Sequence, residues 1–155
     1  AEWAGIAPEG LVRFAKSFMG APYLWGGTST KGVDCSGFTK MIYYFGGVIL
    51  TRDASGQFRY GEEVSIERPI ETLAPGDLLY FGRVRDGKPR ITHTGMYIGD
   101  TEFIHSSGMV KVNSFDSTRT NYSGYLLEIL QGARRGTTFT EGKGLERVSQ
   151  HSWYF

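Results

Sequence analysis

Apolar residues recur at helical spacing early in the chain and in short strand-like runs later. Leu11, Phe14, Ala15 and Phe18 form an i, i+3, i+4, i+7 stripe behind Pro8 and Glu9 and ahead of Gly20, which predicts an amphipathic helix with Pro near its first position. After the glycine-rich stretch APYLWGGTSTKG, Phe38, Met41, Ile42 and Phe45 repeat the helical period, with a start near Cys35 and a stop at Gly46-Gly47. RDASGQF, with Asp53 as candidate N-cap, predicts a short third helical turn. The period then changes. DLLYF (77–81) follows the turn signal Ala74-Pro75-Gly76, and ITHTGMYI (91–98), EFIHS (102–106), MVKV (109–112) and YLLEILQGARR (125–135) read as strands. Short connections favour antiparallel pairing, and helices followed by strands predict an α+β fold with the helices on one side of the sheet.

The 155 residues suit one domain around a single core, here 1–155 with its core at about 8–135. The tail, 136–155, is polar and Gly-rich and ends in the aromatic SWYF, which is expected to dock on the domain. Hydrophobic residues at 40% and charged residues at 21% fit a folded chain rather than a disordered one. A net charge of +1 with dispersed Lys and Arg offers nucleic acid no basic stripe. No apolar run approaches the ~18 residues of a membrane span. Ala1 reads as a processed start, with a leader or whole modules expected upstream.

Cys35 is the only cysteine, so neither an internal disulfide nor a zinc site with two or more cysteines can form. Most free cysteines are inert packing, but this one stands in KGVDCSGF, between Asp34 and Ser36-Gly37. Small residues at a loop-to-helix junction let a substrate approach sulfur. Free N–H groups and the macrodipole there favour an anion and lower a thiol's pKa. The gain matters because a thiol of pKa ~8.5 is only about 3% thiolate at pH 7.

A base is needed beside it, and the candidates are His93 and His105, twelve residues apart around Gly99-Asp100. A two-residue loop at Gly99-Asp100 would place them on opposite faces of a hairpin. A three-residue loop from Gly99 to Thr101 makes cross-strand partners sum to 200 and puts both on one face, as diagonal neighbours. The odd loop is the expectation, because a catalytic imidazole needs a second polar group to fix its tautomer. His93 would then face the thiol as base and acid, with His105 orienting it. Two unrelated, satisfied strand histidines are the plainer alternative; a His/His/Cys metal site lacks a fourth ligand.

APYLWGGTSTKGVDCSGFTKMIYYFGG, LTRDASGQ, LAPGDLLYF and HTGMYIGDTEFIHSSG together resemble the NlpC/P60 family of cell-wall cysteine peptidases, over about 20–135. The resemblance implies a papain-like fold with Cys35 as nucleophile, His93 as base and His105 as third polar member, existing largely as a thiolate–imidazolium pair. It places Tyr23 beside the active site, where its phenol would join the Cys35 N–H as oxyanion donor, simple loop packing being the alternative. It places Asp34 and Ser36 in the substrate groove, although Asp34 also suits a helix N-cap. Arg52 and Asp53 match as well, with Arg52 a candidate for substrate carboxylates or a plain surface charge. Ala54 stands where many relatives carry Ser, so a substrate-contacting hydroxyl is missing or supplied by Ser55. FGRVRDGKPRI (81–91) is long for a strand connection and is expected as a lip on the groove.

The implied activity is hydrolysis of the bond between γ-D-glutamate and a diamino acid, meso-diaminopimelate or lysine, in peptidoglycan stem peptides or muropeptides, with no cofactor or metal. Upstream SH3-like modules in a longer precursor are expected partners, in the cell envelope, periplasmic or secreted, or alternatively in the cytoplasm in wall-peptide recycling. The same thiol and imidazoles would also serve an N-acetylmuramoyl-L-alanine amidase or an acyltransferase, and a non-catalytic wall-binding domain is the reading from another class.

Overall fold

The computed structural model describes residues 7–136 and 145–148. Helix α1 (Pro8–Lys16) begins with Pro8 in its first turn and buries Leu11 and Ala15. Two short strands, β1 (Thr28–Ser29) and β2 (Gly32–Val33), pair as a hairpin ahead of α2 (Cys35–Phe45). Then come β3 (Val48–Leu50), α3 (Ala54–Gln57) and β4 (Glu62–Val64). The remaining elements are β5 (Leu78–Arg85), β6 (Lys88–Gly99), β7 (Glu102–Ser107), β8 (Met109–Ser114), α4 (Gly124–Glu128), β9 (Leu130–Arg135) and β10 (Leu145–Arg147). Six strands form one antiparallel sheet in the order β4-β9-β5-β6-β7-β8, while β10 pairs with β3. The α+β expectation holds.

The core is two clusters rather than one. Leu78, Tyr80, Met96, Ile104 and Val110 turn to α1 and α2, meeting Leu11, Ala15, Phe38 and Ile42. Leu79, Phe81 and Phe103 turn to the other face, against Ile129, Leu130 and Ala133. A strand buried on both sides has no polar face to show, which is why DLLYF reads as an unbroken apolar run.

Two expectations need correction. Residues 125–135 are not one strand: Ser123 accepts the Leu126 N–H and caps α4, and the strand starts only at Leu130. This helical turn contributes Leu126 to the second cluster, so the helices do not all share one side. Residues 81–91 are more strand than expected, with β5 and β6 running on through them. Arg83 pairs with Arg90, Val84 with Pro89 and Arg85 with Lys88, joined by Asp86 (φ 52°) and Gly87 (φ 71°), so the stretch is a regular hairpin extension. The SWYF tail lies outside the described residues.

Candidate active site

The thiol sits at the start of α2. Asp34 is extended (φ −84°, ψ 179°), and its Oδ1 accepts the Gly37 N–H at 2.7 Å, so the N-cap reading of Asp34 holds. Gly37 has a steric role. A Cβ there would run into the Gly27 carbonyl oxygen and lie 2.8 Å from Asp34 Oδ1. Its absence lets the 24–27 loop close on the helix tip, where Gly26 N–H donates to Asp34 Oδ2 at 3.1 Å and Asp34 N–H to Gly27 O at 3.1 Å.

Half-buried Cys35 has its sulfur among the backbone N–H groups of Thr94, Ser36 and Cys35 itself. Thr94 adjoins His93 on β6, the strand against which α2 packs. Burial nevertheless pushes the Cys35 thiol up, the Asp34 charge adds to it, and the three N–H groups oppose it without winning. The expected lowering of the thiol pKa is therefore overturned: desolvation outweighs the helix terminus.

The hairpin joining β6 to β7 has the predicted register. Gly95 pairs with His105, Met96 with Ile104 and Tyr97 with Phe103, each summing to 200, so His93 and His105 share a face. The loop differs from expectation. Gly99 pairs with Glu102 around Asp100 (φ 53°) and Thr101 (φ 65°), and Ile98 is an extra residue that restores the odd parity. Gly95 lies opposite His105, where a Cβ would stand 3.0 Å from His105 Cβ and from Ile104 O. That small residue leaves room for the diagonal approach of the rings, whose Nε2 (His93) and Nδ1 (His105) are 2.8 Å apart.

One further residue sets the direction of these bonds. Asn113 Nδ2 donates to the Asn121 carbonyl at 3.0 Å, which leaves Oδ1 as acceptor for His105 Nε2 at 2.7 Å. With its proton on Nε2, neutral His105 presents a bare Nδ1, and His93 must donate Nε2–H to it. The lone pair of His93 is thereby placed on Nδ1, the ring nitrogen nearer the backbone that meets the sulfur. Burial drives His93 down to about 3, with the His105 and Lys111 charges adding, and drives His105 down to about 4 against the Asn113 bond. Taken singly, both rings and the thiol are shifted toward their neutral forms, against the expectation of a resting thiolate–imidazolium pair.

An open cavity of about 330 Å³ lies over the thiol, lined by Tyr23, Asp34, Cys35, Ser36, Arg52 and Asp53. Ala54, Ser55, Ile91 and Thr92 also line it; His93 and His105 do not. Burial, Cys35 and Asp34 raise the Tyr23 pKa, so the phenol keeps its proton and is a donor near the sulfur. Arg52 binds both oxygens of Asp34, at 3.1 and 2.6 Å, and Ser36 Oγ at 3.0 Å. Burial raises the Asp34 pKa, but Arg52 and the Gly37 and Gly26 N–H groups outweigh it and hold the carboxyl below its ordinary range. Asp34 is thus occupied from within the protein. Asp53, by contrast, is exposed and makes no capping bond to α3. Ser55 is exposed in the cavity, where a hydroxyl replacing the one missing at Ala54 is wanted.

Sequence reasoning missed Asn113 and Gln57. Gln57, 2% exposed, donates to Ser36 O and Thr51 O and accepts from Thr39, tying α3 to the start of α2. Asn113 is diagonal to His105 once His105↔Lys111 is known, so its polar place on the histidine face of MVKVNS was the available signal.

Helix α2, with Cys35 in its first turn, packs on β6, the strand that carries His93, an arrangement that suits a cysteine peptidase. The profile of the NlpC/P60 family matches residues 20–132, and the chain belongs to that family. It is 41% identical over 129 residues to a Bacillus cereus protein named gamma-D-glutamyl-L-lysine dipeptidyl-peptidase, covering 83% of this chain and 36% of that one. It is 36% identical over 109 residues to the probable peptidoglycan endopeptidase LytE of Bacillus subtilis, covering 70% and 30%. Among solved structures, an NlpC/P60 family protein from Bacillus cereus superposes with a TM-score of 0.74 at 36% identity, over 86% of this chain and 41% of that one. The chain thus spans about a third of the length of these curated relatives.

Proposed function

We propose that this chain is the catalytic part of a peptidoglycan hydrolase, cleaving the bond between γ-D-glutamate and the diamino acid of stem peptides. The carrying observation is the imidazole pair, His93 Nε2 2.8 Å from His105 Nδ1 with His105 Nε2 on Asn113, set on the strand against which α2 packs with Cys35 in its first turn. The names borne by the relatives support the substrate class and the bond.

Sulfur attacks the γ-carbonyl carbon while His93 Nδ1 takes the thiol proton, so thiolate and imidazolium arise together and stabilise one another despite burial. The carbonyl electron pair moves to oxygen, where Tyr23 O–H and the Cys35 N–H donate. Collapse breaks the C–N bond, and the departing amine takes its proton from His93. Water, deprotonated by the same nitrogen, hydrolyses the thioester. His105 and Asn113 keep the ring turned throughout. In the groove, the exposed Asp53 suits a substrate ammonium, while Arg52, shared with Asp34 and Ser36, suits a carboxylate. Action on wall peptides suits the cell envelope, with wall-peptide recycling in the cytoplasm as the alternative.

Mass spectrometry of defined muropeptides after digestion tests the bond. Products ending in D-glutamate, with a diamino acid as the new N-terminus, are expected. Release of sugar from L-alanine, or transfer of the acyl group to an added amine without hydrolysis, would replace this reading with an amidase or a transferase.

A further inference from the structure

The hairpin extension of β5 and β6 carries an unusual pairing of like charges. Arg83 stands opposite Arg90, and Arg85 opposite Lys88, in register. Like charges directly across a ladder destabilise it. All four residues are exposed, and among the described residues no carboxylate forms an ion pair with any of them. Arg83, Arg85 and Arg90 line a recess of about 320 Å³, floored by Gly82 and Thr92, with Tyr125 at one side. The Arg83 guanidinium lies over the Tyr125 ring, 5.8 Å from its centroid, which limits its orientations.

Thr92 also lines the cavity over Cys35, so the two spaces adjoin. The recess lies on the imidazole side: Ile129 lines it and shares a cluster with Phe81, whose ring packs on that of His93 with centroids 5.6 Å apart. The part of a substrate that leaves as an amine must stand beside the imidazole that protonates it. We infer that the arginine recess is a subsite for a carboxylate of this leaving fragment, an inference that rests on the acyl-transfer reading above. Guanidinium groups bind carboxylates through paired N–H donors, and a bound anion would relieve the repulsion across the ladder. The carboxylate has two sources in a stem peptide, the chain terminus or the second carboxyl of meso-diaminopimelate.

The test is binding of leaving fragments to the whole protein, which needs no turnover. L-lysyl-D-alanine, its C-terminal carboxamide and meso-diaminopimelyl-D-alaninamide are titrated while the arginine Nε–H resonances are followed by NMR. At least one carboxylate-bearing fragment should shift Arg83, Arg85 or Arg90, and the lysyl carboxamide should not; which fragment binds identifies the source. Replacing Arg83→Gln and Arg90→Gln together should weaken that binding about tenfold, the modest figure expected of exposed charges. No shift with any fragment, or equal binding of L-lysyl-D-alanine and its carboxamide together with no response to meso-diaminopimelyl-D-alaninamide, overturns the inference. The muropeptide digest is read separately: fragment binding with a different bond cleaved would refute the bond assignment and leave the subsite standing.

Discussion

Acid should destabilise this protein well before its carboxylates titrate. His93 is pushed down to about 3 and His105 to about 4, whereas both would titrate near 6.5 in the unfolded chain. Both are therefore neutral when folded and protonated when unfolded between pH ~6 and ~4, so stability is fully present above 6.5 and is lost as pH falls. Two such groups give a slope approaching 2.7 kcal/mol per pH unit, and integration from pH 7 to 5 gives about 4 kcal/mol. His93 is only half-buried, and allowing for solvent that reaches it brings the loss to about 3 kcal/mol. That is a large share of the roughly 5–15 kcal/mol of an ordinary domain. Asp34, held below its normal range, begins to act only in stronger acid, which keeps this window clear of it. Urea unfolding at pH 7, 6 and 5 measures the loss, and the same series on His93→Gln/His105→Gln should be nearly flat. A change below about 1 kcal/mol in the native protein would refute the neutral buried pair.

Cys35→Ser should lower turnover about a thousandfold or more while leaving the melting temperature within a few degrees, since a hydroxyl is a far weaker nucleophile at this site; comparable turnover would sink the nucleophile assignment. Asn113→Ala frees His105 to change tautomer and should cut kcat at least about tenfold with KM little altered, while Asn113→Asp should move the acidic limb of the pH–rate profile upward; profiles identical to the native protein's would remove Asn113 from the relay. Gly37→Ala forces a methyl group against the Gly27 carbonyl and should cost about 1–3 kcal/mol in urea unfolding, and an unchanged midpoint would contradict the packing described. EDTA should leave activity intact, because the facing nitrogens of the histidine pair bind each other and His105 Nε2 is spent on Asn113; activity lost to EDTA and restored by Zn²⁺ would require another chemistry.

Much of the site was legible because its signals are local. The α2 start followed from Asp34, the small residues around Cys35 and the stripe from Phe38 to Phe45; for His93 and His105 strand periodicity left two faces open, and the need of a catalytic imidazole for a polar partner chose the common one. What escaped depends on the third dimension. The α4 turn was hidden because YLLEIL is apolar enough for a strand, and only the Ser123 cap and packing on the second cluster decide otherwise. The thiol's raised pKa was missed because desolvation depends on the sheet closing over the helix tip, which no spacing reveals. Asn113 needed the β7–β8 register, and the role of Asp34 needed Arg52, eighteen residues away, to be seen gripping it.

The Asn121 carbonyl that fixes Asn113 belongs to an external connection, not to the groove. Arg119 fastens that stretch through Asp100 at 2.6 Å and Glu102 at 3.2 Å, and Asn121 Nδ2 itself holds Glu102 at 2.8 Å. Which nitrogen of the reacting ring is bare is thus decided, three hydrogen bonds away, by main chain at the rim. Sequence drift in that outlying segment would register as altered proton transfer, although none of it lines the cavity over Cys35.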